Sequence, residues 1–198
     1  MSTVLRRPRL TVAIATGAAM LGGTAAVAPA ASAAPVTGVS TAVAPDAGLV
    51  SGLTSLGATV RLTGAGSADS AGRFVFPVTG GDLSADLKGR VNHTGGIEFK
   101  AKSGIKFGIR SFVIDTRKSP QLTAEPTLGG YGLGIRVPVA DIGGVGVTSA
   151  PPATVVTGQL TLTDIGALYI NLFLGKAAVK KGTVFGQAEA TVTLGAAS

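Results

Sequence analysis

Phe74-Val75-Phe76-Pro77-Val78-Thr79-Gly80-Gly81 opens the stretch that decides the fold class. Gly89-Arg90-Val91-Asn92-His93-Thr94-Gly95-Gly96-Ile97-Glu98-Phe99 follows, and Phe112-Val113-Ile114-Asp115-Thr116 closes it. The runs are short, rich in aromatic and β-branched residues, and separated by glycine. Ile97, Phe99 and Ala101 fall on one side of an extended chain, and Glu98, Lys100 and Lys102 on the other. Ile105-Lys106-Phe107-Gly108-Ile109-Arg110 repeats that alternation. Period two is the signature of strands with one buried face.

Working outward, Ala58 to Leu62 alternates in the same way, and Gly64 to Gly72 is a polar, glycine-rich loop. Pro77 marks an edge or strand end, Thr79 to Asp82 a turn, and Thr94-Gly95-Gly96 a hairpin between strands at Leu87–His93 and Ile97–Lys102. Strand-like runs continue at Gln121–Glu125, Tyr131–Val139, Val155–Leu162 and Gly186–Leu194. One segment reads as helix. Thr163 suits an N-cap, Asp164 the first turn, and Gly175 the stop, with Ile165, Leu168 and Leu172 at helical spacing between them. About nine to eleven short strands with no intervening helices argue against a parallel α/β sheet. The expected fold is mainly β: an antiparallel β-sandwich or open barrel with one α-helix, about Asp164–Leu174.

The start of the chain has a different character. Arg6, Arg7 and Arg9 precede an apolar, small-residue run from Leu10 to Val27, and Ala31-Ser32-Ala33 gives a small-x-small exit. Residues 1–33 read as a secretory signal peptide. Residues 34–55, rich in Ala, Pro, Val and Thr, read as a flexible mature N-terminal segment, and residues 56–198 as a single β domain. Cleavage after Ala33 leaves 165 residues, enough for one core. It removes three arginines and no acidic residue, so the formal charge falls from +7 to +4. That balance fits loose attraction to anionic surfaces and does not call for a nucleic-acid partner. The remaining chain lacks the apolar run of about 18 residues that a transmembrane helix needs. A membrane-spanning barrel calls for aromatic girdles, a poor match to seven Phe, two Tyr and no Trp.

With no cysteine, the chain has neither disulfides nor thiolate chemistry, and one histidine excludes a multi-histidine zinc site within the chain. No Gly-x-Ser-x-Gly elbow is present. Asp69, Asp82 and Asp86 lack the spacing of a dedicated calcium loop and read as solvated turn carboxylates. Lys100, Lys102 and Lys106 read as the wet face of a sheet. His93, before the Gly-Gly pair, reads either as a strand-end histidine satisfied by the backbone or as a metal or haem contact.

These runs, together with Leu122-Thr123-Ala124, Gly158 to Thr163 and Phe185-Gly186, resemble the HtaA domain. The likeness is greatest to the short secreted HtaA-like proteins of high-GC Gram-positive bacteria, and covers about Arg73 to Leu194. The resemblance implies a β-rich domain of the cell envelope that takes haem on a tyrosine ligand with a histidine beside it. His93 falls where that histidine would. HtaA domains carry their tyrosine in an N-terminal tryptophan-containing segment; this chain has no Trp and no Tyr before Tyr131. His93, Tyr131 and Tyr169 are therefore the candidate haem contacts.

The expected function is that of a secreted, non-enzymatic β-sandwich binding or interaction protein, extracellular or cell-wall associated, for an envelope or extracellular ligand and with no resident cofactor. The alternative is a haem-binding or haem-uptake protein using His93.

Overall fold

The computed structural model of the protein describes residues 33–195; the leader expected at residues 1–33 lies, but for Ala33, outside that span. The chain runs β1 (Ala34–Pro45), α1 (Ala47–Ser55), β2 (Thr59–Thr63), β3 (Ser67–Ala68), β4 (Phe74–Leu83), β5 (Gly89–His93) and β6 (Gly96–Lys100). It continues with β7 (Lys106–Asp115), β8 (Gln121–Leu128), β9 (Tyr131–Gly132), β10 (Val137–Ala150), β11 (Ala153–Leu162), α2 (Asp164–Leu174) and β12 (Val184–Leu194).

Eight strands close into an antiparallel barrel in the order β7-β5-β4-β1-β12-β11-β10-β8, and β8 pairs back onto β7. The expected sandwich or open barrel is therefore a closed one. The reason lies in β7, whose ten residues serve two edges. Along one edge it pairs with β8 from Phe107↔Leu128 to Asp115↔Gln121. Along the other, residues 106–110 pair with β6 and residues 113–115 with β5. Period-two alternation requires one buried face, and both a sandwich and a barrel supply it.

The same arrangement removes the hairpin expected at Thr94-Gly95-Gly96. β5 and β6 do not pair with each other; both run antiparallel to β7, one after the other along one edge. Gly95, at φ 92°, bends the chain between them, and β6 swings out with β2 to form a flap beside the barrel. The expected turn at Thr79–Asp82 is also absent. β4 continues to Leu83 through a bulge between Val78 and Gly80, and lies between β1 and β5. Gly81 and Gly89 are required there, because a Cβ would stand 2.1 Å from the Arg90 carbonyl oxygen or 1.9 Å from that of Asp82.

Residues 34–55, expected as a flexible segment, instead form β1 and α1. β1 is a central strand, hydrogen-bonded to β4 on one side and β12 on the other. α1 is capped by Asp46, whose side chain accepts from the Leu49 amide, and buries Leu49 and Leu53. The expected helix at Asp164–Leu174 is α2, with Thr163 as N-cap and Gly175 in the left-handed conformation at its end.

The core is the barrel interior. Phe76, Ile97, Phe99, Phe107, Phe112 and Leu160 belong to one cluster, and Ala167 and Ile170 of α2 join it. Val36, Leu83, Val91 and Val192 form a second cluster. In β5, Val91 and His93 are buried while Arg90 and Asn92 are exposed. Such an apolar inside and polar outside reverse the pattern of a membrane-spanning barrel. Among the described residues no helix is long and apolar enough to cross a membrane.

Candidate functional site

His93 ends β5 with its ring inside the barrel, 5% exposed. Alternation along the strand puts it on the same face as Val91, and the rings of Phe76 and Phe112, 4.7 Å apart, help line the space around it. Both ring nitrogens are engaged. Nδ1 lies 3.3 Å from the Phe112 carbonyl oxygen and Nε2 lies 2.7 Å from Thr41 Oγ1. A carbonyl only accepts, so Nδ1 carries the proton and Nε2 accepts from the threonine hydroxyl. Burial pushes the imidazole down to about 4, with the backbone carbonyls of Phe112 and Val91 opposing the shift. The ring is therefore neutral at pH 7, and it ties β5 to β1 and β7.

The cavity beside His93 is about 20 Å³, and a second of about 20 Å³ lies beneath α2. Leu122 and Phe185 line both. Each has room for about one water-sized sphere. Tyr169 projects from α2 into the lining of the second and stacks on Phe107, with centroids 5.6 Å apart and planes 11° apart. It is half-buried and packs against the core at the barrel end. Tyr131 is placed quite differently. It opens β9, the short strand that pairs with the end of β8, and stands 82% exposed. Leu128, Leu133 and Ile135 around it are also exposed. The three candidate contacts are thus not one constellation: His93 and Tyr169 line separate small cavities in the core, and Tyr131 stands in solvent.

Larger spaces lie elsewhere. A groove of about 430 Å³ between the flap and the barrel is bordered by Arg61, Arg110, Thr127 and Gly130. Its guanidiniums are paired: Arg110 donates to both carboxylate oxygens of Glu125 at 3.1 and 3.2 Å, and Arg61 sits 3.7 Å from Glu98. An apolar recess of about 310 Å³ opens at the other mouth of the barrel, lined by Leu83, Leu87, Val91, Val145 and Val192, with Asp86 and Lys88 also in its wall. No histidine, tyrosine or methionine lines it.

Among the described residues no three of His, Cys, Asp and Glu converge as a metal site would require, and every buried side-chain nitrogen and oxygen has a partner. The strongest carboxylate perturbation is at Asp115. Arg117, with Arg90 assisting, holds it well below the usual carboxylate range on the outside of the barrel. It is an ion-pair cluster of the sheet surface.

Sequence reasoning missed Thr41, the partner of His93. Val36-Thr37-Gly38-Val39-Ser40-Thr41-Ala42-Val43 is β-branched enough to be a strand. A bulge between Gly38 and Ser40 moves the inward face from Val36 to Thr41 and Val43, which breaks the period-two signal.

No family model matches the sequence, and no curated protein does. Solved structures do match in fold. The C-terminal domain of HtaA from Corynebacterium glutamicum superposes with a TM-score of 0.62 over 83% of this chain and 99% of its own, at 17% identity. A domain-swapped dimer of a histidine-to-alanine variant of that domain gives 0.55 at 18% identity, covering 77% of this chain and 96% of that one. The heme binding protein HtaB from the same organism gives 0.58 at 13% identity, covering 82% and 96%. In fold, therefore, the chain is like the HtaA C-terminal domain and HtaB.

Proposed function

We propose that this chain is an exported, non-enzymatic binding protein and that its ligand is haem. The observation that carries the reading is the fold it shares with the heme binding protein HtaB over 82% of its length. Export is supported by the sequence of residues 1–33. A non-enzymatic role is supported by the barrel interior, where His93 is the one buried ionisable side chain among the described residues.

The chain's own residues divide unequally against haem. His93 does not fit an iron ligand: both its nitrogens are engaged and the space beside it is about 20 Å³. Tyr169 does not fit either, stacked as it is on Phe107. Tyr131 fits by donor chemistry, since a tyrosine oxygen is an established type of haem-iron ligand and this side chain is in solvent. In this reading Tyr131 would hold the iron, and Leu128, Leu133 and Ile135 would lie against the macrocycle. His93 serves the barrel that presents them.

A haem titration followed in the Soret region tests this. The purified protein is expected to shift and saturate the band at one haem per chain, Tyr131→Phe to lose the shift, and His93→Gln to retain it when circular dichroism shows it folded. No shift with the folded wild type overturns haem as the ligand. A shift lost in folded His93→Gln but kept in Tyr131→Phe overturns the assignment of Tyr131. Export is tested by the N-terminus of protein recovered from culture medium, expected at Ala34; retention inside the cell with Met1 in place overturns it.

A further inference from the structure

The exposed apolar side chains of the barrel are unevenly distributed. α2 buries Gly166, Ala167 and Ile170 against the barrel, and presents Ile165, Leu168 and Leu172 outward. Those three positions share one helical face. Leu168 is 50% exposed and Leu172 67%. Ile105, 53% exposed, stands at the β6–β7 turn at the same end of the molecule. That turn adjoins the second half of α2, because the ring of Phe99 lies 6.3 Å from that of Phe173, and the ring of Phe107 6.0 Å from it.

Lysines surround these apolar groups. Lys100 and Lys102 flank the turn, and Lys176 and Lys180 follow α2; all four are exposed and form no ion pair among the described residues. The acidic residues of this end are already engaged. Asp164 pairs with Lys181 at 2.9 Å, Glu98 with Arg61 and Lys106, and Asp46 caps α1. Asp46, beside Lys176, and Asp141, near Lys181, add negative charge, but the four unpaired lysines outnumber them, so the face combines apolar side chains with an excess of positive charge.

We propose that the α2 end of the barrel docks on the surface of an anionic phospholipid bilayer, with Leu168, Leu172 and Ile105 entering the interface and Lys100, Lys102, Lys176 and Lys180 meeting the phosphates. Charge selects this occupant. Apolar residues on one helical face flanked by lysines make an interfacial element, and each lysine near an anionic leaflet adds attraction of its own. A second copy seated on the same face would bring four lysines toward four lysines, which like-charge repulsion opposes. A purely phosphate-bearing polymer would leave the leucines unused.

Flotation with vesicles tests the proposal, on haem-free protein so that the result stands apart from the haem reading. The full chain lacking its leader is mixed with vesicles of phosphatidylglycerol and phosphatidylcholine in equal parts, or of phosphatidylcholine alone. Binding is expected to the first, weakly if at all to the second, and to decline as salt is added. Lys176→Glu with Lys180→Glu is expected to lower partition about tenfold or more, and Leu168→Ser with Leu172→Ser to lower it with little change in fold, since both side chains are already exposed. Failure of the folded wild type to float with the anionic vesicles overturns the proposal. So does equal flotation of wild type and both double variants. So too does a dimer that dissociates in the leucine variant while no vesicle binding is seen.

Discussion

The hydroxyl of Thr41 lies 2.7 Å from Nε2 of His93, joining β1 to β5 inside the barrel across the width of β4. Both residues are buried, and the contact satisfies the imidazole acceptor while Nδ1 donates to Phe112. Thr41→Val keeps the shape and removes the donor. The buried nitrogen is then unpaired, at a cost of about 1–3 kcal/mol. Urea denaturation is expected to show a lower midpoint with an unchanged slope. The haem titration of the folded variant is expected to match wild type, because the pair supports the barrel wall.

Acid should report on the same ring. His93 is held down to about 4 by burial, from an ordinary value of 6.5. The unfolded chain therefore binds its proton first as pH falls. The stability linked to the neutral ring is fully present above about pH 6.5 and is lost progressively toward pH 4, by about 3 kcal/mol in all. Asp69, Asp86, Asp115 and Glu125 are all shifted downward by their partners, Arg73, Ser84, Arg117 and Arg110 first among them. Their losses begin near pH 5 and grow below it, so the ring is read alone between about pH 7 and 5. Denaturation midpoints measured between about pH 7 and 5 are expected to fall for wild type and stay nearly level for His93→Gln. Parallel profiles for the two proteins would remove His93 as the cause.

α2 depends on one close approach. A Cβ on Gly166 would stand 2.1 Å from the Val139 carbonyl oxygen of β10, so the helix lies against the strand at a distance only glycine permits. The Thr163 hydroxyl fixes the entry, accepting from the Gly166 amide at 3.0 Å and donating to the Pro138 carbonyl at 2.7 Å. Gly166→Ala is expected to displace the helix and cost about 1–3 kcal/mol, read as a lower thermal midpoint. Thr163→Ala is expected to cost about 1–2 kcal/mol through the lost cap.

α2 was legible in the sequence because its signals are local: a threonine cap, an aspartate in the first turn, a glycine stop. The strands from Phe74 onward were legible as strands for the same reason. Their partners were not, since pairing depends on residues far along the chain. Gly80-Gly81 looks like a turn, yet in β4 it permits the Arg90 carbonyl to approach. Thr94-Gly95-Gly96 looks like a hairpin, yet it joins two segments that share one edge of β7. For the candidate site, His93 could be singled out as the chain's one histidine, but its engagement depended on Thr41, in a strand disguised by a bulge. That Tyr131 stands in solvent while Tyr169 packs half-buried against the core follows from β9 sitting at the barrel's rim and α2 packing across its end.

The barrel's closure depends on Ser111. Before it, β7 pairs with β6; after it, β7 pairs with β5; along the opposite edge the register with β8 shifts between Arg110 and Val113. Ser111 makes that change at φ 52°, a conformation that L side chains seldom adopt. Its amide donates to the Gly95 carbonyl at 3.0 Å, and its own carbonyl accepts from Arg136 at 2.7 Å, so the bend is held from both sides. A residue without Cβ adopts this conformation at no steric cost, and a β-branched one adopts it poorly. Ser111→Gly is expected to leave stability within about 1 kcal/mol of wild type, the eased bend offsetting the greater freedom of the unfolded chain. Ser111→Val is expected to lose about 1–3 kcal/mol and to speed hydrogen exchange at Val113 and Ile114, where β5 joins the ring. Equal stability of the valine and glycine variants would mean that β7 turns the corner without help from this residue.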